Sequence, residues 1–300
     1  MTPAERRSQL YSMLGELPAR TNPIRVISSS EEAKPGFVLE RLLLDLNGEQ
    51  PVPAYFARPL SGGRRPTIIY MHAHGGEYSI GKAEILDGRT FMPCESYAAA
   101  LTRAGYNLLC IDQWCFGERA LRSEAATFKL MLWRGQVLWG MMLYDCLRAI
   151  DYAVSRSDVD ASRLATLGMS MGSTLSYWTA ALDPRVKVCI DTCCLSEYQP
   201  LIDTGAFDIH AFYYYVPGLL NHFTAADVSG LIAPRPHLSL AGTRDRLTPV
   251  AGLDAIDGAM RRVYADHGAP DAWRQSRYDV EHIETQPMRD EIMAFLAKWL

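Results

Sequence analysis

Gly168-Met169-Ser170-Met171-Gly172 follows the apolar run Arg163 to Leu167 and precedes the helix-compatible run Met171–Leu182. A buried strand, a G-x-S-x-G turn and a helix in that order form a nucleophile elbow. Such a turn forces its serine into a strained backbone conformation. The flanking glycines remove side chains that would collide with the neighbouring strand and helix. The hydroxyl then projects from the edge of the sheet, and the helix aims its first backbone N–H groups at the same point.

Outward from the elbow, apolar β-branched runs alternate with helix-like runs from about residue 36 to the end. The expected strands are 38–46, 52–57, 67–71, 107–111, 164–168, 186–191, 237–241 and 274–280. The expected helices are 96–104, 137–155, 171–182, 251–265 and 288–300. The first two strands are joined through Asn47-Gly48, a hairpin-type turn. The later ones are separated by helices, which implies right-handed crossovers and a mostly parallel sheet. The expectation is an α/β fold, a mostly parallel eight-stranded sheet flanked by helices. Residues 1–35 read as an N-terminal helix and lead-in, and residues 36–300 as one domain.

Two connections exceed the usual length, 113–136 and 192–234, and excursions of this kind tend to cover or line a site. The second is aromatic-rich and reads as a helical cap insertion. Trp114 from the first, and Phe212, Tyr213, Tyr214 and Tyr215 from the second, are the candidate substrate-pocket residues. The competing reading is that these aromatics only pack on the domain.

A serine hydroxyl needs an adjacent base, and the base needs an acid to orient it. After an elbow the chain order is serine, acid, histidine. Asp245 lies just past the strand 237–241, and His282 follows the last strand and precedes the terminal helix. His210 and His222 precede the acid, His237 begins the acid's own strand, and His267 comes before the last strand forms. Asp191 and Glu281 are the rival acids. The candidate triad is Ser170, Asp245 and His282.

An oxyanion hole needs two backbone donors. One is the N–H of Met171. The other belongs to the loop Tyr70-Met71-His72-Ala73-His74-Gly75-Gly76, at His74 or Gly75. His72-x-His74 has a spacing that two metal ligands could use, but no clear carboxylate or cysteine partner accompanies it. No metal or cofactor is expected.

These residues carry a family resemblance. The chain resembles an α/β-hydrolase of the dienelactone hydrolase and acetyl xylan esterase-like branch over residues 36–300. The resemblance rests on His72–Gly76, Asp112 with Phe116-Gly117-Glu118-Arg119, the elbow, Ile232-Ala233-Pro234-Arg235-Pro236, and His282. Ser170 stands where true dienelactone hydrolases carry cysteine, so their substrate does not transfer. Asp112 and Arg119 are expected to brace a loop rather than act in chemistry.

The resulting expectation is a serine carboxylesterase that cleaves short-acyl esters through an acyl-enzyme, with a small-molecule ester as its partner. A peptidase, amidase or thioesterase would use the same triad, and a non-catalytic small-molecule receptor could share the scaffold. Net charge of −4 and the absence of a basic cluster disfavour nucleic acid. No uninterrupted run of eighteen apolar residues suggests a membrane span.

The N-terminus is charged and reads as a capped helix, with Thr2 and Glu5 as a capping box, Pro3 at the first position and Leu10, Met13, Leu14 and Leu17 as its stripe. Seven cysteines without disulfide or zinc spacing fit a reducing cytoplasm. A homo-oligomer is compatible with the sequence.

Overall fold

Nine strands form one sheet in the order β1-β2-β3-β5-β4-β6-β7-β8-β9 in the computed structural model, which describes residues 1–300. They are β1 (Arg25–Lys34), β2 (Phe37–Asp45), β3 (Val52–Pro59), β4 (Arg65–Met71), β5 (Asn107–Ile111), β6 (Val159–Met169), β7 (Val186–Thr192), β8 (His237–Gly242) and β9 (Trp273–Tyr278). The first three pair antiparallel, β3 meets β5 antiparallel, and β4 to β9 are mutually parallel with β5. The sheet has one strand more than the eight expected. β1 reads Arg-Val-Ile-Ser-Ser-Ser-Glu-Glu-Ala-Lys and is exposed along most of its length, so it carries no hydrophobic alternation. It is an edge strand protected by charge.

The core lies on both faces of the sheet. On one face, the helices Leu138–Ser155 and Met171–Leu182 pack Trp139, Met142, Leu175 and Trp178 against β-strand residues such as Ile69 and Leu164. On the other, Tyr97–Arg103 and Gln286–Trp299 close over Ile68, Leu108, Leu167 and Leu238. Gln286–Trp299 begins with proline in its first turn, where the missing N–H leaves no helical bond unmade.

The N-terminal helix Pro3–Ser12 carries the capping box between Thr2 and Glu5. It ends sooner than its apolar stripe suggested. Leu10 and the following Leu14 enter the main core, and Arg7 donates to the carbonyls of Ala181 and Leu231. The 113–136 connection contains a further helix, Glu124–Trp133, whose Ser123 hydroxyl caps the Ala126 N–H. Segment 192–234 folds as the short helices Tyr198–Asp203 and Ala225–Gly230 with three-residue to four-residue turns between them. No helix is long and apolar enough to cross a membrane.

Candidate active site

The turn after β6 places Ser170 at φ 59° and ψ −122°, a conformation that costs a non-glycine residue on the order of 1–3 kcal/mol. The surroundings hold it there. Its N–H donates to the Thr192 carbonyl at 2.9 Å, and its carbonyl accepts from Thr174. A side chain at Gly172 would drive into the Met71 carbonyl, and one at Gly168 into the backbone of Gly172. Both glycines are therefore required by the close approach of the helix to β4. The Ser170 hydroxyl makes no hydrogen bond within the chain, and the residue retains 7% exposure.

β8 and β9 run parallel to β6 and end at the same edge of the sheet, beyond β7. His282 Nδ1 lies 2.6 Å from Asp245 Oδ2. Asp245 Oδ1 accepts the Leu247 N–H at 2.8 Å, so both carboxylate oxygens are engaged and the group is buried. Cys193, one residue past Thr192, brings its sulfur within 4.8 Å of the Asp245 and His282 ligand atoms. Burial pushes its thiol well above the usual value, which leaves a small apolar spacer rather than a nucleophile.

The rival acid Asp191 is occupied elsewhere. Its Oδ2 lies 2.6 Å from His237 Nε2, and its Oδ1 accepts from Ser239 at 2.9 Å. The other rival, Glu281, is exposed. An open cleft of about 740 Å³ runs beside His282, lined by Phe91, Arg244, Asp245 and Arg246 among others.

The loop after β4 is held by two buried carboxylates that the sequence reading did not single out. Glu84 accepts the Ala73 N–H at 3.0 Å and the Tyr70 hydroxyl at 2.8 Å, and it pairs with Arg89 at 2.7 Å. Arg89 in turn donates to the Ala73 carbonyl. Glu124 Oε2 meets His74 Nε2 at 2.7 Å. The Gly76 N–H donates to His74 Nδ1 at 3.0 Å. The N–H groups of His74 and Gly75, between these two fixed donors, make no hydrogen bond within the chain. Met171 opens its helix, so its N–H is one of the four that a helix cannot satisfy internally.

His72 faces inward. It accepts the Gln113 N–H at Nε2 and donates from Nδ1 to Ala73, and burial pulls it down to about 3, so the ring is neutral. Asp112 and Arg119 brace the loop after β5, as expected. Asp112 binds the Lys82 backbone and ammonium and the Glu118 N–H. Arg119 pairs with Asp145 at 2.8 Å.

The five aromatic candidates separate. Tyr214 and Tyr215 line an apolar cavity of about 450 Å³ with Tyr198, Leu201 and Phe207. Tyr214 also stacks on His210 at 5.5 Å, and burial holds His210 below its usual value. Tyr213 is buried against His74 and Trp139. Phe212 is 53% exposed and leans on Phe128, outside the cavity. Trp114 lies under the Arg119 guanidinium at 4.4 Å, in a separate cleft with Thr127 and Met131, and neither this cleft nor the apolar cavity is lined by Ser170, Asp245 or His282. Phe212 thus has an aromatic neighbour at the surface, and Trp114 a cation.

The model of the acetyl xylan esterase family matches residues 45–214. The YtaP protein of Bacillus subtilis (strain 168) is 48% identical over 298 residues, which cover 99% of each chain. Two solved structures share the fold at low identity. An acetyl xylan esterase from Paenibacillus sp. R4 superposes with a TM-score of 0.69 at 18% identity, covering 98% of this chain and 99% of that one. A glucuronoyl esterase from Solibacter usitatus does so with a TM-score of 0.69 at 15% identity, covering 98% and 91%.

Proposed function

This chain belongs to the acetyl xylan esterase family, a group of α/β-hydrolase carboxylesterases, and from that premise we propose that it cleaves short-acyl carboxylic esters through an acyl-enzyme on Ser170. The observation that carries the reading is the strained Ser170 at the end of β6, on the sheet edge where the parallel strands β8 and β9 lead to the paired Asp245 and His282. The domain is read as one α/β-hydrolase unit with residues 192–234 as its cap. The unpaired cysteines suit a reducing compartment, the cytoplasm.

In this mechanism Asp245 fixes the imidazole with its proton on Nδ1, leaving Nε2 to accept the Ser170 proton as the oxygen attacks the ester carbonyl. The backbone N–H of Met171, with that of His74 or Gly75, receives the developing oxyanion. His282 returns its proton to the leaving alcohol. Water, deprotonated by the same imidazole, then attacks the acyl-enzyme and restores the hydroxyl.

Fluorophosphonate labelling with peptide mapping, run beside a panel of acetyl to octanoyl esters, thioesters and amides, tests this reading. Labelling at Ser170 with fastest turnover of acetyl and butyryl esters is expected. A protein that stays unlabelled and inert on the whole panel is a binder on this scaffold, and the reading fails.

A further inference from the structure

Resting on that reading, we propose that Glu124 is a positioning residue for the oxyanion loop and couples that loop to the cap. Its carboxylate is almost fully buried, a placement that is costly unless hydrogen bonds satisfy it. Three donors from two other segments do so. Oε2 receives His74 Nε2 at 2.7 Å and the Tyr78 hydroxyl at 3.2 Å, both from the loop after β4. Oε1 receives the backbone N–H of Tyr213, from the cap, at 3.0 Å.

The arrangement selects one state of His74. Because Gly76 donates to Nδ1, that nitrogen carries no proton, and the proton on Nε2 points at Glu124. The ring is gripped at both ends. Tyr213 stacks on one face at 5.6 Å, and Phe116 meets the ring edge-on at 5.1 Å. The backbone carrying this ring presents the unpaired N–H groups of His74 and Gly75. Holding the ring therefore aims the two donors, and preorganised donors of this kind are what lower the barrier in acyl transfer. One carboxylate serves both the loop and Tyr213, so displacing the cap removes a donor from the group that orients the oxyanion loop.

Glu124→Gln tests this without changing size. A glutamine offers one oxygen, and its amide N–H groups must face either the Nε2 proton of His74 or the Tyr213 N–H, donor against donor. The expected result is a kcat on acetyl and butyryl esters lowered by at least about tenfold, within the hundred- to thousand-fold lost when an oxyanion donor is removed outright. KM should change little, the mark of an interaction made in the transition state, and the pH dependence should keep its shape because His282 is untouched.

Tyr78→Phe removes one donor and leaves the carboxylate in place, and it should lower kcat by a smaller factor. A folded Glu124→Gln protein with parental kcat, or one altered only in KM or thermal stability, overturns the proposal. If Glu124→Gln does not fold, Tyr78→Phe decides: a lowered kcat supports the proposal and a parental kcat overturns it. Failure of the underlying esterase reading looks different, since the parent protein itself would then be unlabelled and inert.

Discussion

The carboxylate of Asp245 reaches Nδ1 of His282 at 2.6 Å, across 37 residues of sequence. Asp191 also ends a parallel strand of the same sheet, yet its partner is His237. The two acids thus divide between a partly buried histidine beside a cleft and a fully buried one in the core.

That division makes the acid testable. Asp245→Asn should lower kcat about ten-thousand-fold, because the amide stabilises the wrong imidazole tautomer. Asp191→Asn should leave the catalytic rate of the folded protein within a small factor of the parent. Steady-state kinetics on an acetyl ester checks both, and the reverse pattern would move the acid to the end of β7.

Asp191 should matter instead for stability, with a defined pH dependence. Burial pulls the His237 imidazole down, but Cys189 and the Asp191 carboxylate outweigh it and raise the group to about 10. The unfolded chain titrates near 6.5. A folded value above the unfolded one gives stabilisation that is complete below about pH 6.5 and is lost as pH rises towards 10. Urea unfolding of the parent should therefore show stability falling across that window. Asp191→Asn should flatten the slope and cost about 3 kcal/mol at neutral pH, as when one partner of a buried pair is removed.

Much of this was legible in the sequence, and the exceptions have physical causes. The positions of Ser170 and Asp245 follow from the plain apolar runs of β6 and β8, whereas β9 reads Trp-Arg-Gln-Ser-Arg-Tyr with only Trp273 buried, so that His282 rests on its place before the terminal helix. β1 was not readable, since Ser28, Ser29 and Ser30 sit on an exposed edge where no pattern is imposed. Glu124 escaped for another reason. A helix-start signature at Ser123-Glu124 is visible, but the partner Tyr213 lies 89 residues away, and no local rule links them. Aromatic composition alone did not separate Phe212 and Trp114, which lie outside the apolar cavity, from Tyr214 and Tyr215, which line it.

The elbow glycines give a packing prediction. A methyl at residue 172 meets the Met71 carbonyl, which belongs to a central strand and cannot rotate away. Gly172→Ala should destabilise the protein by at least about 1–3 kcal/mol, the usual cost of overpacking a core. Activity should fall with it, because the helix must shift away from β4 and carry Ser170 along. Thermal unfolding and ester kinetics on the same variant would check the two effects together.

The cap gives a specificity prediction that separates neighbours in sequence. Tyr214 lines the apolar cavity and stacks on His210, whereas Phe212 lies outside. Tyr214→Ala should raise turnover of longer acyl esters relative to acetate by roughly the ten- to two-hundred-fold per methylene that apolar pockets discriminate, or less. Phe212→Ala should leave the ratio unchanged. Equal ratios in the parent and both variants would separate the cavity from the acyl site.

The central claim is that Ser170 is the nucleophile, and the turnover of an acetyl ester by Ser170→Ala tests it most directly. The variant should fold as the parent does, with the same thermal transition to within a few degrees, roughly the shift of a small surface-scale change in free energy. Its kcat should fall by on the order of a million-fold, the loss seen when a serine hydrolase loses its nucleophile. A folded Ser170→Ala protein that keeps more than a small fraction of parental turnover would contradict the account and assign the attack to another group.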